Sequence, residues 1–386
     1  MRVLGLPSDI GDPRNPQITQ GQQFPLGACG SYRVRWPLEA LERAGLAEVQ
    51  WGAFSLTYVY ELAREFDVVV MQRQTDPFNR NFVRHCRKLL GVKVVFDFDD
   101  DLLRLDPSNP AYVFWGTDKD KMWAIYQTLL LKGQVDPRIA YEMTPEKVWM
   151  VANDRRAGFK SILNEVDLIT VTTPHLKRRY ERYANTPVVV LPNCINAEDW
   201  DGIEPLCPEG AEDYLRIGWA GGESHQQDVA LIAGGLTHIL EQHDHVALVL
   251  VGWEGAKSLF PERVHDRIFT VPWMGIDEYR GYVAGFHLGL APAVDTPTNR
   301  GKSGIRVYEL ALAGATVVAS QWPYGDDVHE GLGLVARTAK EFASKVEWCL
   351  DNWEDGRTMG KKLKDHVLAE HTYAAKVYEW LRAYQG

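Results

Sequence analysis

The chain has 386 residues, 45% of them hydrophobic, and a formal net charge of −10. That length is the prior for two domains of about 150–200 residues each, with enough apolar side chains for two cores. The sequence sets expectations against several classes: no apolar window reaches the roughly 18 residues of a membrane span, Met1–Pro7 reads as too short an apolar run for a signal peptide, and 5 scattered cysteines without a CxxC pair suit neither a disulfide framework nor a zinc site.

A cytoplasmic chain is therefore expected, with Met1–Pro7 as its first strand. Next comes Leu26-Gly27-Ala28-Cys29-Gly30-Ser31-Tyr32-Arg33, ahead of a helix expected over 34–44. Small residues before a helix let backbone approach a ligand closely. Gly30 would make that approach, and Tyr32 and Arg33 could meet a phosphate or a sugar; Arg33 could equally pair with Glu39 or Glu42. Short apolar runs follow at Val68–Met71, Val92–Phe96, Leu168–Val171 and Val188–Leu191, each separated by a helical stretch. That pattern predicts a parallel sheet covered on both faces.

The second of these runs leads into Asp97-Phe98-Asp99-Asp100-Asp101. Crowded carboxylates are costly unless something positive or protic meets them. Three readings compete: a sugar site, in which a carboxylate accepts hydroxyls; a hard-metal site at Asp97, Asp99 and Asp101; and a magnesium-dependent phosphohydrolase with Asp97 as nucleophile. The last follows the Asp-x-Asp opening of haloacid dehalogenase-type enzymes, although Asp101 stands in their Thr/Val place. Gly325-Asp326-Asp327 loosely imitates their later acidic motif. Residues 109–160 break the alternation with Tyr112, Phe114, Trp115, Trp123, Tyr126, Tyr141 and Trp149. This aromatic-rich helical insertion could form an acceptor wall, a lid or a dimer contact, or simply pack.

Pro192-Asn193 closes the first set of strands, and the acidic, proline-bearing stretch 196–213 reads as a linker. Domains are thus expected at 1–195 and 214–370, with a final amphipathic aromatic helix in 371–386. The second domain repeats the pattern with runs at Arg216–Trp219, Ala247–Val251, Arg267–Val271, Leu288–Ala291 and Ala315–Ala319. Its first strand runs into Gly221-Gly222-Glu223-Ser224-His225, where free N–H groups suit a phosphate; His225 could contact a donor or carry a proton. Further on, Gly301-Lys302-Ser303-Gly304-Ile305-Arg306 precedes a helix bearing Glu309. A helix start with two cations suits an anion, although an ordinary αβ unit with solvated Lys302 and Arg306 reads the same, and Glu309 lies about two turns beyond Lys302. A cation for a diphosphate and a carboxylate for sugar hydroxyls are what a nucleotide sugar requires.

Charge is unevenly placed. Residues 1–190 hold 25 Lys+Arg against 23 Asp+Glu, and 191–386 hold 17 against 29, giving +2 and −12. Such asymmetry is compatible with a first half that meets a polyanion, although solvated helix faces also explain basic runs.

In order and spacing these pieces resemble the retaining glycosyltransferases of family 4, in particular their shorter, divergent bacterial and phage members. The resemblance spans nearly the whole chain. Val188–Asn196 is similar to the interdomain segment, with Cys194 in its usual glycine place. Arg216–Gly222 is similar to the strand and phosphate loop of the donor domain, and Lys302–Ser320 to the best-marked donor segment. The resemblance implies an α/β, GT-B fold: two doubly wound Rossmann-like domains facing a central cleft, with the last helix crossing back to the first. It implies transfer of a hexose-type sugar from a UDP- or GDP-sugar to a hydroxyl of a glycan, a protein or a hydroxymethylated phage DNA base, with retention. A catalytically silent nucleotide-sugar-binding module is the remaining alternative.

Under this reading Lys302 and Arg306 stabilise the leaving diphosphate, and Asp99 and Asp100 orient the sugar. Gly30, Gly221, Gly222, His225, Ser303, Gly304, Ile305 and Glu309 bind the donor, while Tyr32, Arg33 and Asp97 lie on the acceptor side. No cofactor is expected, and a divalent metal is possible but not required. The family's E-x7-E pattern is incomplete, because Gly301 stands where its first glutamate would be.

Overall fold

The apolar runs become central strands because a strand covered on both faces has no polar side to present. In the computed structural model, which describes residues 1–8, 26–135, 143–328 and 331–386, those strands build two separate units. One comprises Met1–Asn193 and Lys376–Gly386; the other is Cys194–Ala375.

The first unit contains β1 (Arg2–Leu6), β2 (Glu48–Trp51), β3 (Val68–Gln72), β4 (Lys93–Phe98), β5 (Leu168–Val171) and β6 (Val188–Val190), in the order β2-β1-β3-β4-β5-β6. All neighbours are parallel. Every residue of β3 is buried, with Val70 opposite Gly5 on one side and Val95 on the other. The chain fills one side of β1 with β2 and then crosses to β3 on the other. The switch point is therefore at β1 and β3, and in such sheets ligands bind outside the carboxyl ends there.

The second unit contains β7 (Leu215–Ala220), β8 (Val246–Val251), β9 (Ile268–Val271), β10 (Leu288–Ala291), β11 (Thr316–Ser320) and β12 (Leu334–Ala336), in the order β12-β11-β10-β7-β8-β9. This sheet is also parallel throughout, and its switch point lies between β7 and β10. Helices that matter below are α1 (Trp36–Arg43), α2 (Lys119–Leu131), α3 (Pro145–Ile162), α4 (Gln226–Gln242), α5 (Ile276–Ala284), α6 (Ile305–Leu312), α7 (Ala339–Asp351) and α8 (Tyr373–Gln385).

The aromatic insertion contributes to the first unit's core. Trp115 meets Phe159 of α3 at 5.6 Å, and Phe159 meets Phe98 of β4 at 5.1 Å. Tyr112 and Tyr126 are buried in the same cluster, so ordinary packing accounts for them; Tyr141 lies outside the described residues. The stretch expected to be a linker is tied into the second unit. Asp199 accepts from Arg280 at 2.7 Å, and the Leu206 N–H donates to the Gly281 carbonyl of α5 at 2.8 Å. Among the described residues, no helix is long and apolar enough to cross a membrane.

Candidate functional site

In the first unit the acidic segment is resolved into three different fates. Asp97 is fully buried, near the end of β4. It accepts from Arg33 Nε at 3.0 Å and Nη2 at 2.6 Å, and from Thr170 Oγ1 at 2.6 Å. Arg33 also donates to the Leu191 carbonyl at 2.7 Å and Asn193 Oδ1 at 3.0 Å, beneath the Trp380 ring of α8 at 5.0 Å. The expected partners of Arg33, Glu39 and Glu42, play no part in this pair. Arg33 and Asp97, expected on the acceptor side, are interior groups, and a sealed, paired Asp97 gives the phosphohydrolase reading no accessible nucleophile. Tyr32 is likewise turned inward, edge-on to Trp36 of α1 at 4.6 Å. The reason is that the helix begins at Ala28, six residues before the expected 34, and passes through a π-helical turn at Ser31–Arg35. Gly30 is buried in that helical start.

Asp101 is buried against the Tyr180 hydroxyl at 3.0 Å and Arg179 Nε at 3.3 Å. Asp99 and Asp100 are the acidic pair left near the surface, and Arg73 Nη2 binds both: Asp99 closely, Asp100 at 3.3 Å. Arg73 follows β3 in a left-handed conformation (φ 53°), which a non-glycine residue adopts only at a cost of about 1–2 kcal/mol. Strain of this kind concentrates at functional sites. The same Nη2 lies 3.4 Å from Cys29 Sγ, so Arg73 draws together segments that flank the sheet's switch point. Nothing in the Gln72-Arg73-Gln74 sequence marks this role; it comes from the backbone turn. The proposed metal set does not converge, since Asp97, Asp99 and Asp101 face Arg33, Arg73 and Tyr180. Among the described residues, no group of three or more His, Cys, Asp or Glu side chains is arranged to hold a metal ion.

The second unit gathers its candidates at the carboxyl ends of β7 and β10. Gly221 and Gly222 leave β7, and His225 follows in a single 3-10 turn before α4. Gly221 must lack a Cβ: one would stand 2.8 Å from the Trp219 ring and 2.9 Å from Arg306 Nη2. Arg306, in the first turn of α6, lies 5.7 Å over the Trp219 ring, and its buried Nη1 has no hydrogen-bond partner among the described residues. A buried charged donor in that state is costly unless something anionic meets it. Gly304 is needed for a close approach too, because a Cβ would fall 2.3 Å from the Asp327 carboxylate. Asp327 accepts from Tyr308 Oη at 2.5 Å and so fixes the entry to α6. Lys302 and Ser303 are half-buried on that entry, and Ile305 opens the helix.

His225 Nδ1 is 2.7 Å from Asp228 Oδ2. Burial, reinforced by the nearby Arg306 and Lys302 charges, outweighs that carboxylate and holds the His225 pKa down at about 4. The imidazole is therefore neutral at physiological pH. An Nδ1–H donated to Asp228 leaves Nε2 as an acceptor. No local motif marks Asp228 for a role. Its Oδ1 accepts from the Val294 N–H at 2.8 Å and Asn299 Nδ2 at 3.0 Å, so it ties the loop after β10 to the start of α4.

Glu309 is almost buried on α6 and accepts from Tyr279 Oη of α5 at 2.9 Å. Burial and this carboxylate push the Tyr279 phenol well above its usual range, so it stays a donor. Finally, Trp273 follows β9 with its side chain 75% exposed, its ring 3.5 Å from where a Cβ on Gly222 would stand. A large exposed aromatic beside a glycine loop is a stacking surface. Sequence reasoning missed Trp273 because only the fold brings the segment after β9 back to the glycine loop that leaves β7.

Residues 233–382 match a family model described as "Glycosyl transferase-like". A comparison with curated protein sequences finds no match. Among solved structures, sucrose-phosphate synthase from Thermosynechococcus elongatus is similar at 16% identity, with a TM-score of 0.61 over 100% of this chain and 98% of that one. HepE of Anabaena in complex with UDP is similar at 13% identity and a TM-score of 0.58, over 99% and 100% of the two chains. The catalytic domain of starch synthase IV from Arabidopsis thaliana, bound to ADP and acarbose, is similar at 12% identity and 0.59, over 100% and 98%. At these identities the likeness shows the fold: two Rossmann-like domains of the GT-B class.

Proposed function

We propose that the chain is a glycosyltransferase that moves a hexose-type sugar from a nucleotide-diphosphate sugar to a hydroxyl acceptor, with retention at the anomeric carbon. The observation that carries this reading is the cationic corner after β7. Arg306 has a buried Nη1 without a hydrogen-bond partner among the described residues and its Nη2 close to Gly221, and both its charge and that of Lys302 act on a neutral His225. A diphosphate is the anion that two cations and a run of helix-start N–H groups suit. The match of residues 233–382 supports the reading, as does the capture of a similar protein, HepE, with UDP-glucose.

The roles follow from the chemistry. As the bond from the anomeric carbon to the diphosphate oxygen breaks, positive charge develops on the ring and negative charge on the departing group. Lys302, Arg306 and the N–H groups of Gly221, Gly222, Ser303 and Gly304 receive that negative charge without reorganising. The acceptor oxygen bonds to the anomeric carbon on the face being vacated, and its proton passes to the leaving phosphate oxygen. Glu309, oriented by Tyr279, accepts ribose hydroxyls, and Trp273 offers a face to the base. His225 Nε2 accepts a sugar hydroxyl. Asp99 and Asp100, gathered by Arg73, are the first unit's candidates for contact with sugar hydroxyls, and Gly30 its candidate for close backbone approach.

The test is release of nucleoside diphosphate from UDP-, GDP- and ADP-hexoses, with glycan, protein or hydroxymethylated-DNA acceptors, with and without EDTA, and NMR of the product's anomeric proton. Diphosphate release coupled to a product of unchanged anomeric configuration is expected. An inverted product contradicts retention; absence of both binding and release contradicts the assignment.

A further inference from the structure

On the other flank of the second unit's sheet lies a cavity of about 640 Å³, at the carboxyl ends of β10, β11 and β12. Its volume falls in the roughly 300–1,000 Å³ of small-molecule sites. Leu231 of α4, Val294, Asp295, Trp322, Arg337 and Thr338 are among its lining residues. The cationic corner is built on other side chains, from the end of β7, the start of α6 and the segment after β9; of the cavity's lining only the Val294 N–H, through Asp228, is linked to it.

The lining has the makeup of a sugar site. Trp322 is 47% exposed, and Arg300 lies 5.6 Å over its ring while bound to Asp295 at 2.5 and 2.7 Å. The indole is thus held at the cavity's edge while much of it stays open. A pyranose has an apolar C–H face, which an indole covers, and a rim of hydroxyls, which need both donors and acceptors. Asp295 accepts, Arg337 donates, and the hydroxyl of Thr338 can do either. With one carboxylate set against Arg300 and Arg337, the lining shows no strong bias of charge, and a neutral ring fits it better than a polyanion. Asp228 joins this cavity to the cationic corner through its two oxygens, one on the Val294 N–H and the other on His225.

We propose that this cavity is a saccharide subsite that holds a neutral pyranose ring of the acceptor, which makes the acceptor a glycan. The role as acceptor rests on the transferase reading; the binding of saccharide does not. The test uses the full chain on an array of neutral α- and β-linked gluco-, galacto- and manno-oligosaccharides, followed by calorimetry on those retained. A parallel titration with UDP-, GDP- and ADP-glucose reports the donor site. Trp322→Ala should weaken oligosaccharide binding about tenfold, the scale of one lost aromatic contact, and Trp322→Phe should recover part of it. Leu231→Trp, which fills the cavity from α4, should weaken it as well. Nucleotide-sugar affinity should stay within about twofold in all three.

Failure of the wild-type chain to retain any of the oligosaccharides overturns the proposal, as does retention unaffected by both Trp322→Ala and Leu231→Trp. Oligosaccharide binding that depends on Trp322 without any nucleotide-sugar binding supports the subsite and sinks the transferase reading instead. Nucleotide-sugar binding with Trp322-independent saccharide binding does the reverse.

Discussion

Replacing Asp97 with Asn removes a buried charge while keeping the side chain's shape. Asp97 is fully buried and accepts three hydrogen bonds, at 2.6, 2.6 and 3.0 Å, two of them from Arg33. In the variant the Arg33 guanidinium stays buried under Trp380, facing the neutral oxygens of Leu191 and Asn193. Breaking a buried pair by removing one partner costs about 3–5 kcal/mol; Asn keeps one acceptor, which places the expected loss near the lower end, about 3 kcal/mol. For a domain of about 150–250 residues each kcal/mol shifts Tm by about 2–4 °C, so the first unit's transition should fall by about 6–12 °C. Scanning calorimetry on the full chain measures this, with a nucleotide-sugar titration alongside that should be unchanged. The double variant Arg33→Met/Asp97→Leu should recover much of the loss, since apolar replacements of similar volume often match a buried ion pair. An Asp97→Asn chain that melts with the wild type yet has lost its chemistry would refute the structural role and restore Asp97 as a reacting group.

Four further outcomes are expected. Glu309→Ala should weaken nucleotide-sugar binding by about 1.5–3 kcal/mol, the worth of hydrogen bonds to a charged acceptor, read as a 10- to 150-fold rise in Kd by calorimetry. Lys302→Ala should lower kcat by about 10²–10³ with a smaller change in KM, as for loss of one preorganised charge. Arg306→Met should raise the His225 pKa from about 4, because Arg306 is the largest electrostatic contribution keeping the imidazole neutral; NMR titration of the ring protons follows it, and an unmoved pKa would separate the two groups. Stability should also fall as pH drops from about 6.5 to about 4: His225 has a folded pKa below its unfolded value, so the unfolded chain takes up a proton that the folded one refuses. The loss approaches about 3 kcal/mol at pH 4, and His225→Gln should remove it from urea unfolding curves taken across that range.

The central strands were legible because burial on both faces writes itself as an unbroken apolar run. Leu168–Val171 and Leu288–Ala291 coincide with the observed strands. Two of the four edge strands were not. Glu48–Trp51 alternates exposed and half-buried residues, and Leu334–Ala336 is only three residues long, so neither carries that signal. The glycine loop at Gly221-Gly222 and the start of α6 were readable because close backbone approach leaves glycines in the sequence. The partners of the acidic segment were not: Asp97 meets Arg33 from 64 residues away, and only the fold decides which carboxylate is sealed and which is held near the surface. Arg73, Asp228, Tyr279 and Trp273 were missed for the same reason. Each gains its place from sheet order or from a backbone turn that no local spacing encodes.

The most direct measurement is calorimetric titration of the wild-type chain and of Arg306→Met with UDP-, GDP- and ADP-hexoses. The proposed donor site predicts that at least one of these binds the wild type, that free hexose does not compete, and that Arg306→Met weakens binding at least tenfold while leaving Tm unchanged or raised, since Nη1 makes no hydrogen bond among the described residues. Binding of none of the nucleotide sugars, or binding indifferent to Arg306, would contradict it.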